Sequence, residues 1–216
     1  MNRFIRTLAL PALLALPVAA GQLHAQNDNA NANQRTRADQ LRADMRKLWE
    51  EHIVWTRNFI ISAAAGSPDV QPVTDRLMRN QVDIGNAVKA FYGDDAGNQL
   101  TNLLKGHIAT AAEVVNAAKA NNQSRLRTAQ QRWTANADSI ATFLAGANRF
   151  WPENILKDEM HRHLELTTNE AVARLHGDWA ADIRAYDQVH EHILHLSDLL
   201  SDGIIRQFPD RVASRD

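Results

Sequence analysis

Long stretches of this chain return their apolar residues at steps of three and four, and glycine, asparagine or proline closes each stretch. That spacing is one face of an α-helix, and no stretch alternates at period two as a half-buried strand would. In the first stretch Met45, Leu48, His52, Trp55 and Phe59 share a face, and Gly66-Ser67-Pro68-Asp69 stops it. The pattern predicts six helices over 36–65, 73–91, 94–120, 124–147, 152–175 and 178–207, with Pro209 ending regular structure. Short links at Gly93 and Gly177 make antiparallel neighbours. The expected fold is therefore all-α: an antiparallel four-helix-bundle-like core of 36–65, 94–120, 152–175 and 178–207. The other two helices would pack outside it or across its end.

Each of the four long helices carries a histidine at a similar distance from a glycine. His52 and His163 lie fourteen residues before Gly66 and Gly177, His107 fourteen after Gly93, and His192 fifteen after Gly177. At 1.5 Å per residue each sits roughly 21 Å from its turn, so the four are expected to share one layer. One imidazole per helix at one depth is how a bundle builds a metal site. His52 and His107 fall in the middle of their apolar faces. A buried ring needs a partner or a metal, and the plainer reading gives it a hydrogen bond to Thr56 or Thr110. His161 and His190 lie two residues from His163 and His192, so the members of each pair point about 200° apart. Periodicity alone leaves open which member faces the core.

An internal repeat selects His163 and His192. His52-Ile-Val-Trp-Thr56-Arg-Asn58 and His163-Leu-Glu-Leu-Thr167-Thr-Asn169 share H-x-x-x-T-x-N, and the same offset of 111 places Gly66 on Gly177. A weaker match sets His107 against His192. Two helix pairs are then duplicates of one hairpin, with 124–147 as the link between them. Glu159 and Glu170 lie within about 40° of His163 around their helix. Each is a candidate metal ligand or a support for a histidine tautomer, and the plainer reading pairs Glu170 with Arg174 on the surface.

The first 25 residues read as a secretory signal peptide. Arg3 and Arg6 precede an apolar run from Leu8 to Ala20, and Leu23-His24-Ala25 offers a cleavage site near Ala25. The run is too short for a membrane span. Residues 26–35, rich in asparagine, read as a disordered spacer, and 36–210 as a single domain. Periplasmic or secreted location follows. The chain has no cysteine, so core packing alone would hold it together outside the cytoplasm. Without Arg3 and Arg6, 22 basic residues stand against 25 acidic ones. That balance excludes the basic stripe of a nucleic-acid binder.

Several catalytic signatures are missing: the Glu-x-x-His pair of di-iron bundles, His-Glu-x-x-His, a phosphate-cradling glycine loop and a nucleophile elbow. The segments LWEEHIVWTRNFIIS, VTDRLMRN, FYG, the run from His107 to Ala120, WTANADSIATFL, HLELTTNEAVARLHG, AADIRAYD and GIIRQFP resemble one bacterial family of uncharacterised all-helical proteins. Its members carry labels such as glycosyltransferase or acetylglutamate kinase. The resemblance implies the helical fold and the positions of His52, His107 and His163, but no activity. The α/β pattern and metal or phosphate motifs of those enzymes are absent here. In that family acidic residues stand at the positions of His190 to His195, so a carboxylate would take the place of His192.

The functional expectation is an exported bundle that binds zinc, copper, nickel or iron through His52, His107 and His163, with His192 or Glu159 completing the set. No organic cofactor is implied, and the partner is a metal ion or small molecule. Any reaction would be metal-dependent redox or hydrolysis, its mouth near Glu159, Thr167 and Glu170. The alternative is a non-catalytic envelope, stress or small-ligand-binding protein with structural histidines.

Overall fold

The computed structural model describes residues 19–212, with side chains from Arg37 onward. It is all-α, with seven helices: α1 (Ala19–Ala65), α2 (Val70–Tyr92), α3 (Asp94–Lys119), α4 (Gln123–Ala147), α5 (Glu153–Leu175), α6 (Trp179–Gln207) and α7 (Pro209–Val212). Residues 1–18 of the expected signal peptide lie outside the described residues. Helical backbone runs through 26–35, where the sequence predicts a spacer, because no glycine or proline interrupts the chain between Gln22 and Ala65. Pro209 opens a last helical turn instead of ending structure, since proline suits a helix's first position. Among the described residues no helix is long and apolar enough to cross a membrane.

The helices close into a ring in chain order: each packs against the next, and α6 returns to α1. This corrects the four-helix core. Helices α2 and α4 are full members of the ring, and one small interior void of about 20 Å³ is bordered by side chains from all six long helices. Consecutive helices joined by short links run antiparallel. Helices α1, α3 and α5 therefore run the same way and also meet one another across the middle. The Gly66 and Gly177 turns lie at one end of the ring and Gly93 at the other.

The repeat is threefold. His52, His107 and His163 are spaced by 55 and 56 residues, and so are three buried apolar sets: Met45, Leu100, Leu156; Ile53, Ile108, Leu164; and Ile60, Val115, Ala171. The turns that end α1, α3 and α5 are the same motif. Gly66, Asn121 and Gly177 all have positive φ, at 66°, 51° and 73°. Each donates its N–H three residues back, and the next residue donates to a carbonyl five back: Ser67 to Ser62, Asn122 to Ala117, Asp178 to Ala173. That is the Schellman end, which glycine and then asparagine fit best. The hairpin α1–α2 is thus repeated as α3–α4 and α5–α6. His107 corresponds to His52 and His163, and each of these three precedes its turn residue by fourteen positions. The expected pairing of His107 with His192, measured from Gly93, counted from the opposite end of the bundle.

The α1–α6 interface closes the ring with the ion pairs Arg42 to Asp202 and Arg46 to Asp198 and a hydrogen bond between His190 and Glu50, above shared core residues. Three glycines set close approaches. Gly85 and Gly97 let the α2 and α3 backbones touch, and a Cβ at Gly97 would stand 2.6 Å from the Gly85 carbonyl. Gly203 on α6 makes room for the Trp151 ring, whose Cε2 would lie 2.7 Å from an added Cβ. Gly203→Ala should therefore destabilise the fold by about 1–3 kcal/mol through overpacking. The check is a urea melt; an unchanged midpoint would show that Trp151 moves aside freely.

Candidate functional site

The threefold repeat brings His52, His107 and His163 from the inner helices α1, α3 and α5 to one level at the centre of the ring. All three are at least 96 % buried. His163 is the hub, with ring centroids 5.9 Å from His52, 5.9 Å from His107 and 6.0 Å from His192. Trp49 packs edge-on against His52, and Trp133 lies against His107. Two apolar clusters flank the layer, and the larger also runs past it along α3 and α4 through Val114, Trp133 and Ala129. The larger includes Met45, Leu100, Leu156 and Leu200; the smaller, toward the Schellman turns, includes Phe59, Ile60, Val115 and Ala171. His161, His176 and His195 are exposed, and His161 pairs with Asp138. His163 is thus the core-facing member of its pair. His192 also reaches the layer, while His190 bonds Glu50.

The outer helices hold the rings. Asn136 of α4 donates from Nδ2 to the Leu103 carbonyl at 3.1 Å, which turns its Oδ1 toward His107 Nδ1, also at 3.1 Å. His107 therefore carries its proton on Nδ1 and keeps a lone pair on Nε2. In the first hairpin Asn80 donates to the Leu48 carbonyl at 3.0 Å, while its neighbour Gln81 offers Nε2 to His52 Nδ1 at 3.2 Å. In the third, His192 takes the equivalent place and donates from Nε2 to the Glu159 carbonyl at 3.1 Å. Leu48, Leu103 and Glu159 are themselves spaced by 55 and 56 residues. The threonines expected as partners are not: Thr56 and Thr110 both bond carbonyls of their own helices. At the hub, His163 Nδ1 and Thr167 Oγ1 are buried with no hydrogen-bond partner, and Gln81 Oε1 is likewise unpaired. Each orphan costs about 1–3 kcal/mol.

The candidate carboxylates separate. Glu159 faces His192 Nδ1 and His195 Nε2, both at 3.5 Å, at the edge of the layer. Glu170 points away from the imidazoles. Arg57 of α1 donates from Nη1 to Glu170 at 2.8 Å and to Asp182 of α6 at 2.9 Å, and Arg174 donates to Asp182 rather than to Glu170. Glu170 and Asp182 are almost fully buried, and the Arg57 guanidinium lies over Tyr186. A mouth formed jointly by Glu159, Thr167 and Glu170 does not exist, because their side chains serve three different surroundings. Sequence reasoning missed Gln81, Asn136, Arg57 and Asp182. Gln81 did carry a signal, lying between Leu77 and Ile84 on the apolar face of α2.

Burial pushes His52 down to about 3, helped by the nearby His107, and His107 down to about 4. Burial and then the three neighbouring rings hold His163 well below the ordinary 6.5. Burial also pushes the Glu170 carboxyl up to about 7, against the pull of Arg57. Among the described residues no three histidine, aspartate or glutamate groups form a ready set around one ion. Compared with protein-family models, with curated proteins and with solved structures, the chain matches none.

Two outcomes follow. The three inner rings are neutral in the fold but charge in the unfolded chain below about 6.5. Their contribution is therefore complete above that pH and is lost as pH falls toward 4 and 3, at about 1.4 kcal/mol per ring for each pH unit. Glu170 acts oppositely between about 7 and 4.5, and the three rings outweigh it. Metal-free protein should unfold on acidification, with a stability-against-pH slope near pH 5 equal to uptake of roughly two protons. A flat profile from pH 7 to 4.5 would contradict neutral burial. Arg57→Met should cost about 3–5 kcal/mol in chemical denaturation, because Glu170 and Asp182 lose their shared cation. Adding Glu170→Gln and Asp182→Asn should recover part of that loss.

Proposed function

We propose that the imidazole layer binds one first-row transition ion, with His52, His107 and His163 as ligands and His192 or Glu159 completing the set. The observation that supports this most directly is the trio itself. Rings from three copies of one hairpin lie at one level, with His163 5.9 Å from both His52 and His107, and this hub ring has an unpaired buried nitrogen. His107 already has the ligand form: Nδ1 is held by an amide oxygen and Nε2 is left with its lone pair, as an outer-shell partner does at metal sites. His52 needs the reverse tautomer. Turning the Gln81 amide over would supply it, at the cost of the bonds Nε2 now donates to the Leu77 carbonyl at 2.9 Å and to Asn80 Oδ1 at 3.1 Å. Two imidazoles on one tetrahedral ion, with bonds of about 2.1 Å, have centroids roughly 5.3 Å apart. The observed 5.9 Å asks for a small inward turn of the rings. Imidazole ligands suit zinc, copper, nickel and iron alike. Export to the periplasm or beyond rests on the basic and apolar pattern of residues 1–25.

A second reading has one observation in its favour. The Nδ1 atoms of His52 and His107 are both engaged by amides, which would suffice for a structural layer in a non-catalytic envelope or ligand-binding module. One experiment separates the two. Protein purified without an affinity tag should contain close to one equivalent of metal. Metal-stripped protein should gain about 5–10 °C in melting temperature with zinc at a hundredfold excess over its dissociation constant. His107→Ala should abolish the gain while leaving the helical circular dichroism intact. A metal-free protein whose melting ignores zinc, copper, nickel and iron would leave the structural reading standing.

A further inference from the structure

One helical turn above the three histidines, toward the Schellman turns, the threefold repeat places Thr56, Ala111 and Thr167. These residues border a cavity of about 60 Å³. Its walls are apolar, with Phe59, Val115, Trp133 and Ala171 among them. It lies against α4 and α5, and Gln130 and Val172, both exposed, stand at its outer edge. A water needs about 10–15 Å³ measured this way, so the space suits roughly four to six heavy atoms. Apolar walls do not hold water well. Thr167, however, is also part of its lining, 95 % buried, and the hydroxyl of this residue has no partner. His163 Nδ1, one turn below on the same helix, is also unpaired.

We propose that this cavity is a binding site for a small aliphatic molecule with a single hydrogen-bonding end, such as a short-chain alcohol or aldehyde. The tail lies among Phe59, Val115 and Ala171, and the polar end meets the Thr167 hydroxyl. A purely apolar ligand would fill the walls and leave the orphaned hydroxyl unsatisfied. A strongly polar one would face walls that offer it nothing, at a cost of a few kcal/mol. The inference does not rest on metal binding, because neither Thr167 nor the cavity walls are among the proposed ligands.

The test uses the full protein after metal removal with a chelator, and reads backbone amide NMR shifts. 1-Butanol should move resonances of Val115, Trp133, Thr167 and Ala171 saturably, and xenon, an apolar probe, should move the same set. Thr167→Val keeps the shape and removes the hydroxyl. It should weaken 1-butanol about tenfold, the worth of one hydrogen bond near 1.4 kcal/mol, and leave xenon unchanged. Ala171→Leu should block both probes. If it fails to fold, Thr167→Val still decides. Shifts scattered over the surface, or equal 1-butanol affinity in Thr167→Val, would overturn the proposal, whether or not the protein binds metal.

Discussion

Polar imidazoles buried in the middle of an apolar bundle are the constraint around which the rest is arranged. Three rings with nothing but hydrocarbon around them would not be tolerated, so the outer helices must bring amides inward. Asn136 and Gln81 do this for His107 and His52, and His192 replaces the amide in the third hairpin. The core falls into two apolar clusters around the layer, the smaller one lying on the side of the Schellman turns. The orphaned His163 nitrogen and Thr167 hydroxyl are where this accommodation is incomplete. They are also where the two inferences about ligands converge. Fully satisfied networks rigidify a core, whereas a partly satisfied one leaves buried polar groups at a cost.

The three copies of the hairpin have diverged most at the level above the histidines. The position held by Phe59 in the first copy and Val114 in the second is Glu170 in the third. That carboxylate draws in Arg57, and with it Asp182 and Arg174, so a charged clamp fixes α1 to the α5–α6 hairpin. Thr56 and Thr167 flank an alanine at 111, and the space left beside that small residue belongs to the cavity. The asymmetry separates a rigid side, α1 with α6, from an open side near α4 and α5.

Helix positions were nearly all legible, because the 3.6 period and the punctuating Gly66, Gly93 and Gly177 are local signals. The imidazole layer was legible for the same reason: depth along a helix is simple arithmetic from its end. The ring was not. Nothing local distinguishes an outer helix from a stave, and Gln81 and Asn136 declare their role only once His52 and His107 lie beside them. The threefold repeat stayed hidden because its middle copy keeps the histidine and the buried apolar sets but replaces Thr56, Asn58 and Gly66 with Ala111, Glu113 and Asn121. Asn121 does the work of a glycine by adopting positive φ, which an identity match does not register. Glu170 was misread since its cation, Arg57, is 113 residues away.

The ring follows chain order, and this gives its interfaces very different histories. Five of the six join helices that are consecutive, so each hairpin forms by closing a short loop at little entropic cost. The sixth joins α1 to α6 across about 150 residues, and nothing in the chain prepares it. Its rim sets Arg42 and Arg46 against Asp202 and Asp198, beside the hydrogen bond between His190 and Glu50. Opposite charges attract over a Debye length before side chains touch, and that reach shortens as salt rises. The seam that no short loop preassembles is thus edged by charges whose pull weakens as salt rises.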